Sequence, residues 1–457
     1  MISQVAGKNN IRINFLFMLA LCLPVTIACI DVMAVSVAIA PIMNNFSSSL
    51  ETSQWLLSGY TIGTAAFLIT IGRLADQYGR RRLLMLGVAI FALASFTASI
   101  SPSIYYLIVS RFLQGVASSM MMTTVMSIIT HEFPTEDRGR IISTYGFSLG
   151  LGLASGPAIG GILIAYFNWQ AIFLINLPIC VISGWLIMKY LPESKSNETS
   201  VSVDWVETIV LTALLLLVVA IISQGGVSGW LSSFMIASYV VFLGLLVIFL
   251  FIERSRLNPI IDLSLFTKPN YFGATACGFL SYFCMYAWLC IIGIYLQDVG
   301  GMTVIEAGLL CTPFSLAFAF SSKVLAHIFK RYTNKQIIQT GFLVSSAAFL
   351  WMATITPMTN QLTMLAMFFM LGVGITVVNA PSMVAASEHV PLNKAGLASG
   401  LIFTIRWLGG SIGVIVITMI YHAFSESIMY ACLALAFAAI FGLLFTFSLK
   451  YPAYSHD

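Results

Sequence analysis

Three ionisable side chains lie inside long apolar stretches of this sequence, and they are its best candidates for chemistry. These are Asp31, Arg111 and Arg406. A lone carboxyl in a low-dielectric medium favours its neutral form, whereas a nearby guanidinium favours the ionised form. A carboxyl under both influences can take up and release a proton. Movement of Asp31 relative to Arg111 would therefore switch its protonation.

The densest cluster of charge is GRLADQYGRRR at 72–82, in a chain with only 8% charged residues. Its arginines suit a segment that anchors two helices at lipid phosphates: Arg73, Arg80, Arg81 and Arg82. That explanation leaves out Asp76, which lies in the same loop before the turn-forming Gly79. The acid therefore needs a separate role.

The composition of the whole chain indicates an integral membrane protein. Of its 457 residues, 59% are hydrophobic, and the mean hydropathy is +0.96. A soluble protein of this length could not bury so much apolar surface. The eight cysteines all lie in apolar stretches without CxxC spacing, so they indicate neither a disulfide framework nor a metal site.

The apolar stretches are long enough to be membrane-spanning helices, because a span needs about 20 apolar residues. We predict about fourteen. They lie near 13–40, 53–74, 82–100, 103–130, 139–166, 170–191, 205–224, 232–252, 271–297, 304–324, 336–354, 360–386, 395–421 and 427–449. The first is interpreted as a retained span and not a signal peptide, because of its length and Asp31. Twelve spans would have the same parity, so the count depends on the pair at 205–252.

The distribution of lysine and arginine predicts the orientation. With the N-terminus inside, the inner loops hold the basic residues, from Arg73–Arg82 and Arg138 to Lys394, and the outer loops hold none. The positive-inside rule then places both termini in the cytoplasm. We expect the protein to lie in the plasma (cell inner) membrane. Asp31 lies ~15 Å below the outer surface and Arg111 ~12 Å below it, so they can pair or line one cavity. Arg406 lies roughly midway, ~20 Å from the inner end.

A weak internal repeat predicts two related halves. LAHIFKRYTNK at 325–335 echoes LADQYGRRR, and the stretch 194–204 is typical of a linker. Transporters are often built from such halves. The predicted domains are an N-terminal six-helix bundle (1–195), two inserted linker helices (196–256) and a C-terminal six-helix bundle (257–457).

Several motifs of other function classes are missing from the sequence. It contains no GxxxxGK[ST], no HExxH and no carboxylates paired at catalytic spacing, which disfavours an ATPase or an enzyme. It also lacks a filter motif typical of a channel. What remains is a carrier driven by an ion gradient, for which we expect no cofactor, no metal and no nucleic-acid partner. For Arg111 and Arg406, a structural ion pair or a bond to backbone carbonyls remains open.

Over nearly its whole length the chain resembles the major facilitator superfamily, in particular its drug:proton antiporter branch with fourteen spans. GRLADQYGRRR is similar to the loop motif between spans 2 and 3, and RFLQGVASS to the span 4 motif, through Arg111, Gln114 and Gly115. GLASGPAIGG resembles the antiporter motif of span 5, through Gly156, Pro157, Gly160 and Gly161. The chain departs from the pattern in WQAIF at 169–173 and in Trp407, where the branch often has glutamine.

The resemblance implies an all-α fold of two six-helix bundles with two extra helices between them. It implies that Asp31 carries the proton and that Arg111 modulates it. It further implies a conformational latch in which Asp76 meets Arg138 and the start of span 13 near Lys394. The motif residues of that latch are Asp76, Gly79, Arg80, Arg81 and Arg138.

We therefore predict a proton-coupled exporter of small molecules that works by alternating access. Its candidate cavity residues are Gln114, Tyr60, Tyr145, Phe147, Tyr282, Tyr286, Trp288 and Arg406. The expected partners are a small amphipathic or metabolite substrate and the lipid bilayer. We expect a monomer, and accessory export proteins remain an open alternative. Two alternatives stay open: a dedicated exporter of an endogenous metabolite such as a siderophore, and a non-transporting membrane sensor.

Overall fold

The chain folds as an assembly of long helices. The structure is a computed structural model, and it describes residues 15–133, 135–192, 205–255, 263–328, 331–387, 390 and 395–449. Within these ranges every regular element is a helix. In lipid a helix satisfies its backbone hydrogen bonds internally, which explains why such apolar segments adopt this form.

Sixteen α-helices occur in the described residues. They are α1 Phe15–Phe46, α2 Leu50–Ser53, α3 Trp55–Tyr78, α4 Arg80–Ser99, α5 Ile104–Glu132, α6 Thr135–Phe167, α7 Gln170–Leu174, α8 Asn176–Tyr190, α9 Trp205–Ser228, α10 Ser233–Ser255, α11 Pro269–Ile294, α12 Val304–Ile328, α13 Asn334–Met352, α14 Gln361–Ser387, α15 Ala395–Ala423 and α16 Ile428–Thr446. A 3₁₀ turn at Leu263–Thr267 precedes α11, and a π turn at Tyr295–Val299 follows it.

Each of the fourteen predicted segments coincides with one long helix, or, for the sixth, with the α7–α8 pair. Eleven stretches of the described residues are long and apolar enough to cross a membrane. The remaining long helices, α3, α12 and α13, are not among the eleven, and α12 contributes only the shorter apolar stretch Val304–Ala317. The chain is therefore a multi-pass membrane protein, and the count of fourteen spans stays a prediction.

Two breaks in the helices have local causes. The α7–α8 pair is interrupted at Ile175, three residues before Pro178. Proline has no N–H for the carbonyl four residues earlier, so a helix is easily broken there. Between α3 and α4 the chain turns at the single residue Gly79, whose φ of +104° strains any residue with a Cβ atom.

The helices pack as two groups. We call α1 and α3–α8 the N-bundle, in which α5 packs against α3 and α4, and α1 packs against α6 and α8. We call α11–α16 the C-bundle, in which α11 packs against α14, α15 and α16, and α13 packs against α14 and α16. The bundles meet along two main seams, α6 against α12 and α3 against α15, with α1 also touching α11.

The helices α9 and α10 pack on each other, and α9 lies against both α3 and α15. Thr208 of α9 hydrogen-bonds Thr70 of α3 at 3.0 Å between their hydroxyl oxygens. An apolar cluster of Ile62, Val219 and Ile415 joins one residue from each of the three helices. The pair thus covers the α3–α15 seam.

The two ends of the molecule differ in charge. We call the end with Arg80–Arg82, Lys189 and Arg254 the basic end, and the end with Glu51, Glu306 and Glu426 the opposite end. Between the bundles, Gln297 donates to the Val37 carbonyl at 3.0 Å, and Thr404 donates to the Ala65 carbonyl at 3.1 Å. These two hydrogen bonds join the bundles near the middle of α3 and α15 and at the end of α11.

Candidate functional site

Asp31 lies at the centre of the N-bundle, where it pairs with Arg111. Both side chains are fully buried, and Arg111 Nη1 contacts Asp31 Oδ2 as an ion pair and hydrogen bond. The backbone of α1 comes close to α6 beside this point, and the acid faces away from that contact, towards α5 and α8. Of the two options that the sequence left open, pairing or lining one cavity, the structure shows the pairing across two helices.

The other carboxylate oxygen of Asp31 accepts two amide hydrogen bonds. Asn176 Nδ2 donates to Oδ1 at 2.8 Å, and Gln114 Nε2 donates at 3.3 Å. Both amides also donate to Ser95 Oγ, at 3.1 Å from Asn176 and 2.8 Å from Gln114. We call Asp31, Arg111, Gln114, Asn176 and Ser95 the carboxylate cluster; its helices are α1, α4, α5 and α8.

Arg111 is held on three sides. Its Nη1 donates to Gln114 Oε1 at 2.7 Å, and its Nε donates to the Leu56 carbonyl at 3.0 Å. Its guanidinium lies 4.6 Å from the ring centroid of Tyr60 and 5.9 Å from that of Phe173. These contacts hold the guanidinium in a fixed position beside the Asp31 carboxyl group.

Glycines of the span 5 motif allow α6 to approach two helices closely. A Cβ atom at Gly160 would lie 2.8 Å from the Ala34 Cα of α1, and one at Gly156 would lie 2.9 Å from the Ile30 carbonyl oxygen. On another face, a Cβ at Gly161 would lie 2.8 Å from the Val304 carbonyl oxygen of α12. The motif, including Pro157, therefore lies in contact with both the helix of Asp31 and the other bundle.

Four aromatic rings connect the bundles. Trp407 of α15 lies 6.2 Å from Tyr60, 5.7 Å from Tyr282 and 5.5 Å from Tyr286, measured between ring centroids. We call these four residues the aromatic bridge. Since Tyr60 lies against Arg111, the bridge continues from the carboxylate cluster into the C-bundle.

Arg406 lies at the far side of this bridge, with its guanidinium 5.9 Å from the Tyr282 ring centroid. Trp288, another predicted cavity residue, lies apart from the bridge, whereas Tyr145 is close enough to Tyr282 to interact with it. Trp288 packs inside the C-bundle against Phe314 and Phe368, and Tyr145 is buried on α6. The side chain of Phe147 is outside the described residues. The cavity role of these residues stays a prediction.

The predicted latch is described only in part. Arg81 donates to the Met188 carbonyl at 2.8 Å, and Arg80 is buried. Gly79 makes the turn that positions both. The side chains of Asp76 and Arg138, and the whole of Lys394, lie outside the described residues, so the contact proposed between them is a prediction.

Sequence reasoning did not assign Ser95, Asn176 or Trp407 to the site. Ser95 gave no signal, because serine is common in membrane helices. Asn176 was noticeable as an amide in an apolar run, and Trp407 as a departure from the expected glutamine. In the described part of the chain, no group of three or more His, Cys, Asp or Glu side chains is arranged to hold a metal ion.

Known proteins of similar sequence are transport and resistance proteins. The chain is 29% identical to the multidrug resistance protein Stp of Mycobacterium tuberculosis over 420 residues, which are 90% of this chain and 76% of Stp. It is 26% identical to the methylenomycin A resistance protein of Streptomyces coelicolor over 404 residues, 87% of this chain and 84% of that protein. It is also 26% identical to the riboflavin transporter RibZ of Clostridioides difficile over 405 residues, 88% of this chain and 86% of RibZ.

The fold is similar to that of a solved transporter. A bacterial homologue of the human lysosomal transporter Spinster, in an inward-facing and unoccupied conformation, superposes with a TM-score of 0.69. The alignment covers 96% of this chain and 98% of that protein at 17% identity, so it informs on fold alone. The sequence profile of the Major Facilitator Superfamily matches residues 21–414. With its all-helical membrane fold, this chain belongs to the Major Facilitator Superfamily.

Proposed function

We propose that this protein is a proton-coupled exporter, which exchanges small molecules for protons by alternating access. The observation that carries the proposal is the carboxylate cluster, a buried acid paired with an arginine inside a transporter fold. An ionisable group at this depth is costly and usually functional. The names of Stp and of the methylenomycin A resistance protein support drug-like substrates.

Protonation of Asp31 would change the balance of the cluster. A neutral carboxyl no longer compensates the charge of Arg111, so the electrostatic attraction between the two side chains is lost. That attraction is strong in the low-dielectric interior of a helix bundle. Arg111 also contacts Tyr60, which packs against Trp407 of the other bundle. A shift of Arg111 would therefore act on the contact between the bundles, which have to rock relative to each other in each cycle.

The topology belongs to the same proposal. The chain would have fourteen spans, with the basic end in the cytoplasm and both termini inside the plasma membrane. Its domains would be 1–195, 196–256 and 257–457, and it would act as a monomer. The basic loops and the covered α3–α15 seam support this arrangement.

The latch would secure the cytoplasmic side. Asp76 would meet Arg138 and the positive end of α15, where unpaired backbone N–H groups favour an acid. Gly79, Arg80 and Arg81 would hold the loop in place. Alternating access requires such a closure on one side while the other opens.

The test is transport by purified full-length protein in liposomes under an imposed pH gradient. A lumenal pH-sensitive dye reports proton flux when amphipathic fluorophores of either charge are added. We expect exchange by the wild type, and none by Asp31→Asn with a normal melting temperature in detergent. Wild-type exchange by that variant would refute the proton role, and an absence of flux with every fluorophore would refute export. Ser183→Ala, a buried change on α8, serves as control.

A further inference from the structure

Arg406 is a buried guanidinium for which the described residues provide no carboxylate. It is 3% exposed, near the middle of α15. Its Nη2 donates to the Asn379 carbonyl at 2.9 Å and to Ser382 Oγ at 2.7 Å. Its Nε has no partner in the described part of the chain. A charge removed from water is costly unless an opposite charge compensates it, so this cation is unbalanced.

The C-bundle has a slot shaped for this side chain. Gly278 of α11 faces Arg406, and a Cβ atom there would lie 2.5 Å from its Nε, 3.1 Å from its Cγ and 3.3 Å from its Cδ. The Nε edge of the guanidinium therefore packs against the backbone of α11. The Tyr282 ring lies one helical turn further along α11. Three helices, α11, α14 and α15, therefore hold the guanidinium in a fixed place.

Asn379 supplies a second unused polar group at the slot. Its side chain is 8% exposed, and neither its Nδ2 nor its Oδ1 has a hydrogen-bond partner among the described residues. It lies three residues before Ser382, so both share the face of α14 that meets Arg406. A buried amide left without partners is costly, which indicates that a partner is supplied from outside the chain.

The charges near the middle of the described helices do not cancel. Arg111 is neutralised by Asp31, whereas Arg406 lies beyond the aromatic bridge without such a partner. The unused donor at the slot is the amide NH₂ of Asn379, and a carboxylate oxygen can accept from it while its charge offsets that of the guanidinium. An incoming anion would therefore give the amide a partner and balance the charge of Arg406.

We propose that the slot of Arg406, Asn379 and Ser382 binds the anionic oxygen group of an amphipathic carboxylate, with the aromatic bridge against its apolar part. The inference rests on the proposed export function and names its substrate class. A purely structural Arg406 would explain the two bonds to α14, which lie beside Pro381. It would not explain the unpaired amide of Asn379 or the lack of a described carboxylate beside Arg406.

Export of an anion in exchange for a proton has an electrical consequence. The exit of an anion and the entry of a proton are each equivalent to one positive charge moving inward. One exchange therefore moves two positive charges inward. A neutral substrate would move one, and a monovalent cation none. An inside-negative membrane potential therefore drives export of the carboxylate most strongly.

The experiment uses three dansyl-labelled alkyl chains of equal length that end in a carboxylate, a primary amide or an ammonium group. Their binding to the full-length protein in detergent is measured by fluorescence anisotropy. We expect the wild type to bind the carboxylate at least about tenfold more tightly than the others, the range of one charge-assisted hydrogen bond. Arg406→Gln should abolish that preference, and Asn379→Ala should weaken carboxylate binding by roughly threefold to tenfold.

Asn379→Ala keeps the test decisive if Arg406→Gln does not fold, because the Asn379 side chain holds no described hydrogen bond that folding would lose. Ser346→Ala is the matched control, since that buried hydroxyl donates to the Phe342 carbonyl of its own helix. Equal binding of the three chains by the wild type, or an unchanged preference in Asn379→Ala, would overturn the inference.

Flux in liposomes separates this inference from the proposed function. Tight carboxylate binding without pH-driven flux would refute export and leave the site intact. Proton-driven flux of the ammonium chain that is unaffected by Arg406→Gln would support export and overturn the anion site.

Discussion

The indole ring of Trp407 packs against the phenol ring of Tyr60, with 6.2 Å between their centroids, and this contact joins the two bundles beside the buried ion pair. The same Tyr60 ring lies against the Arg111 guanidinium. Asp31 is thus connected to the C-bundle through three successive contacts, by way of Arg111, Tyr60 and Trp407. A transporter that couples a proton to a rocking motion requires such a physical connection.

Replacement of Trp407 tests this connection. Trp407→Ala removes three aromatic contacts, each worth about 0.5–1.5 kcal/mol, so we expect the free energy of unfolding to fall by about 2–4 kcal/mol. Thermal melting in detergent and the exchange rate in liposomes measure the effect. Trp407→Phe should restore most of both. If Trp351→Ala, at the exposed end of α13, had the same effect, the bridge would have no special role.

Asn176 is expected to hold the Asp31 carboxylate in place for transport. It donates to Asp31 Oδ1 at 2.8 Å, whereas the other amide donor, Gln114, lies 3.3 Å away. Asn176→Leu removes the shorter bond, so we expect exchange to slow by roughly threefold to tenfold. The rate of liposome flux measures it, with Ser183→Ala on the same helix as control; equal rates in Asn176→Leu and the wild type would contradict the prediction.

The α6–α12 seam should be intolerant of a methyl group at Gly161. The new Cβ would lie 2.8 Å from the Val304 carbonyl oxygen and 3.2 Å from the Ile305 Cα, and backbone atoms can yield only if α12 moves. We expect Gly161→Ala to destabilise the α6–α12 seam by about 1–3 kcal/mol. Proton leak through liposomes should increase severalfold. Gly146→Ala on the same helix, with open space around it, should leave leak and stability unchanged.

The latch makes a separate prediction for Asp76. Asp76→Asn removes the charge proposed to meet Arg138 and the start of α15, and we expect exchange to slow by roughly tenfold, with normal insertion. Flux per inserted protein is the measurement. The neighbouring change Gln77→Ala should have little effect. Normal cycling by Asp76→Asn would show that the acid serves only the local loop.

The sequence was sufficient to predict the fold class, and it placed Asp31 and Arg111 at a similar depth, where they could pair or line one cavity. Helical length and hydropathy are local properties, and the depths of Asp31 and Arg111 follow from counting residues along two helices. The motifs of α5 and α6 likewise identified Gln114 and the glycines, whose contacts the structure describes. In these cases one helix carries most of the information.

The other parts of the site depend on how helices are rotated about their axes, which counting along the chain does not determine. Ser95 and Asn176 belong to α4 and α8, and only packing of both against α1 brings them to Asp31. For the same reason the predicted aromatic cavity residues of α11 lie in two different places. Tyr282 and Tyr286 face Trp407, whereas Trp288 faces the interior of the C-bundle.

The position of α9 gives the transporter two unlike flanks. On one flank α9 lies across α3 and α15, so acyl chains are kept from that seam. On the other flank, Ile162 of α6 and Leu309 of α12 are exposed, so lipid would contact the α6–α12 seam directly. A solute dissolved in the bilayer would therefore reach the contact between the two bundles only along the α6–α12 flank. A change of membrane thickness or fluidity would act on the transport cycle through the same flank.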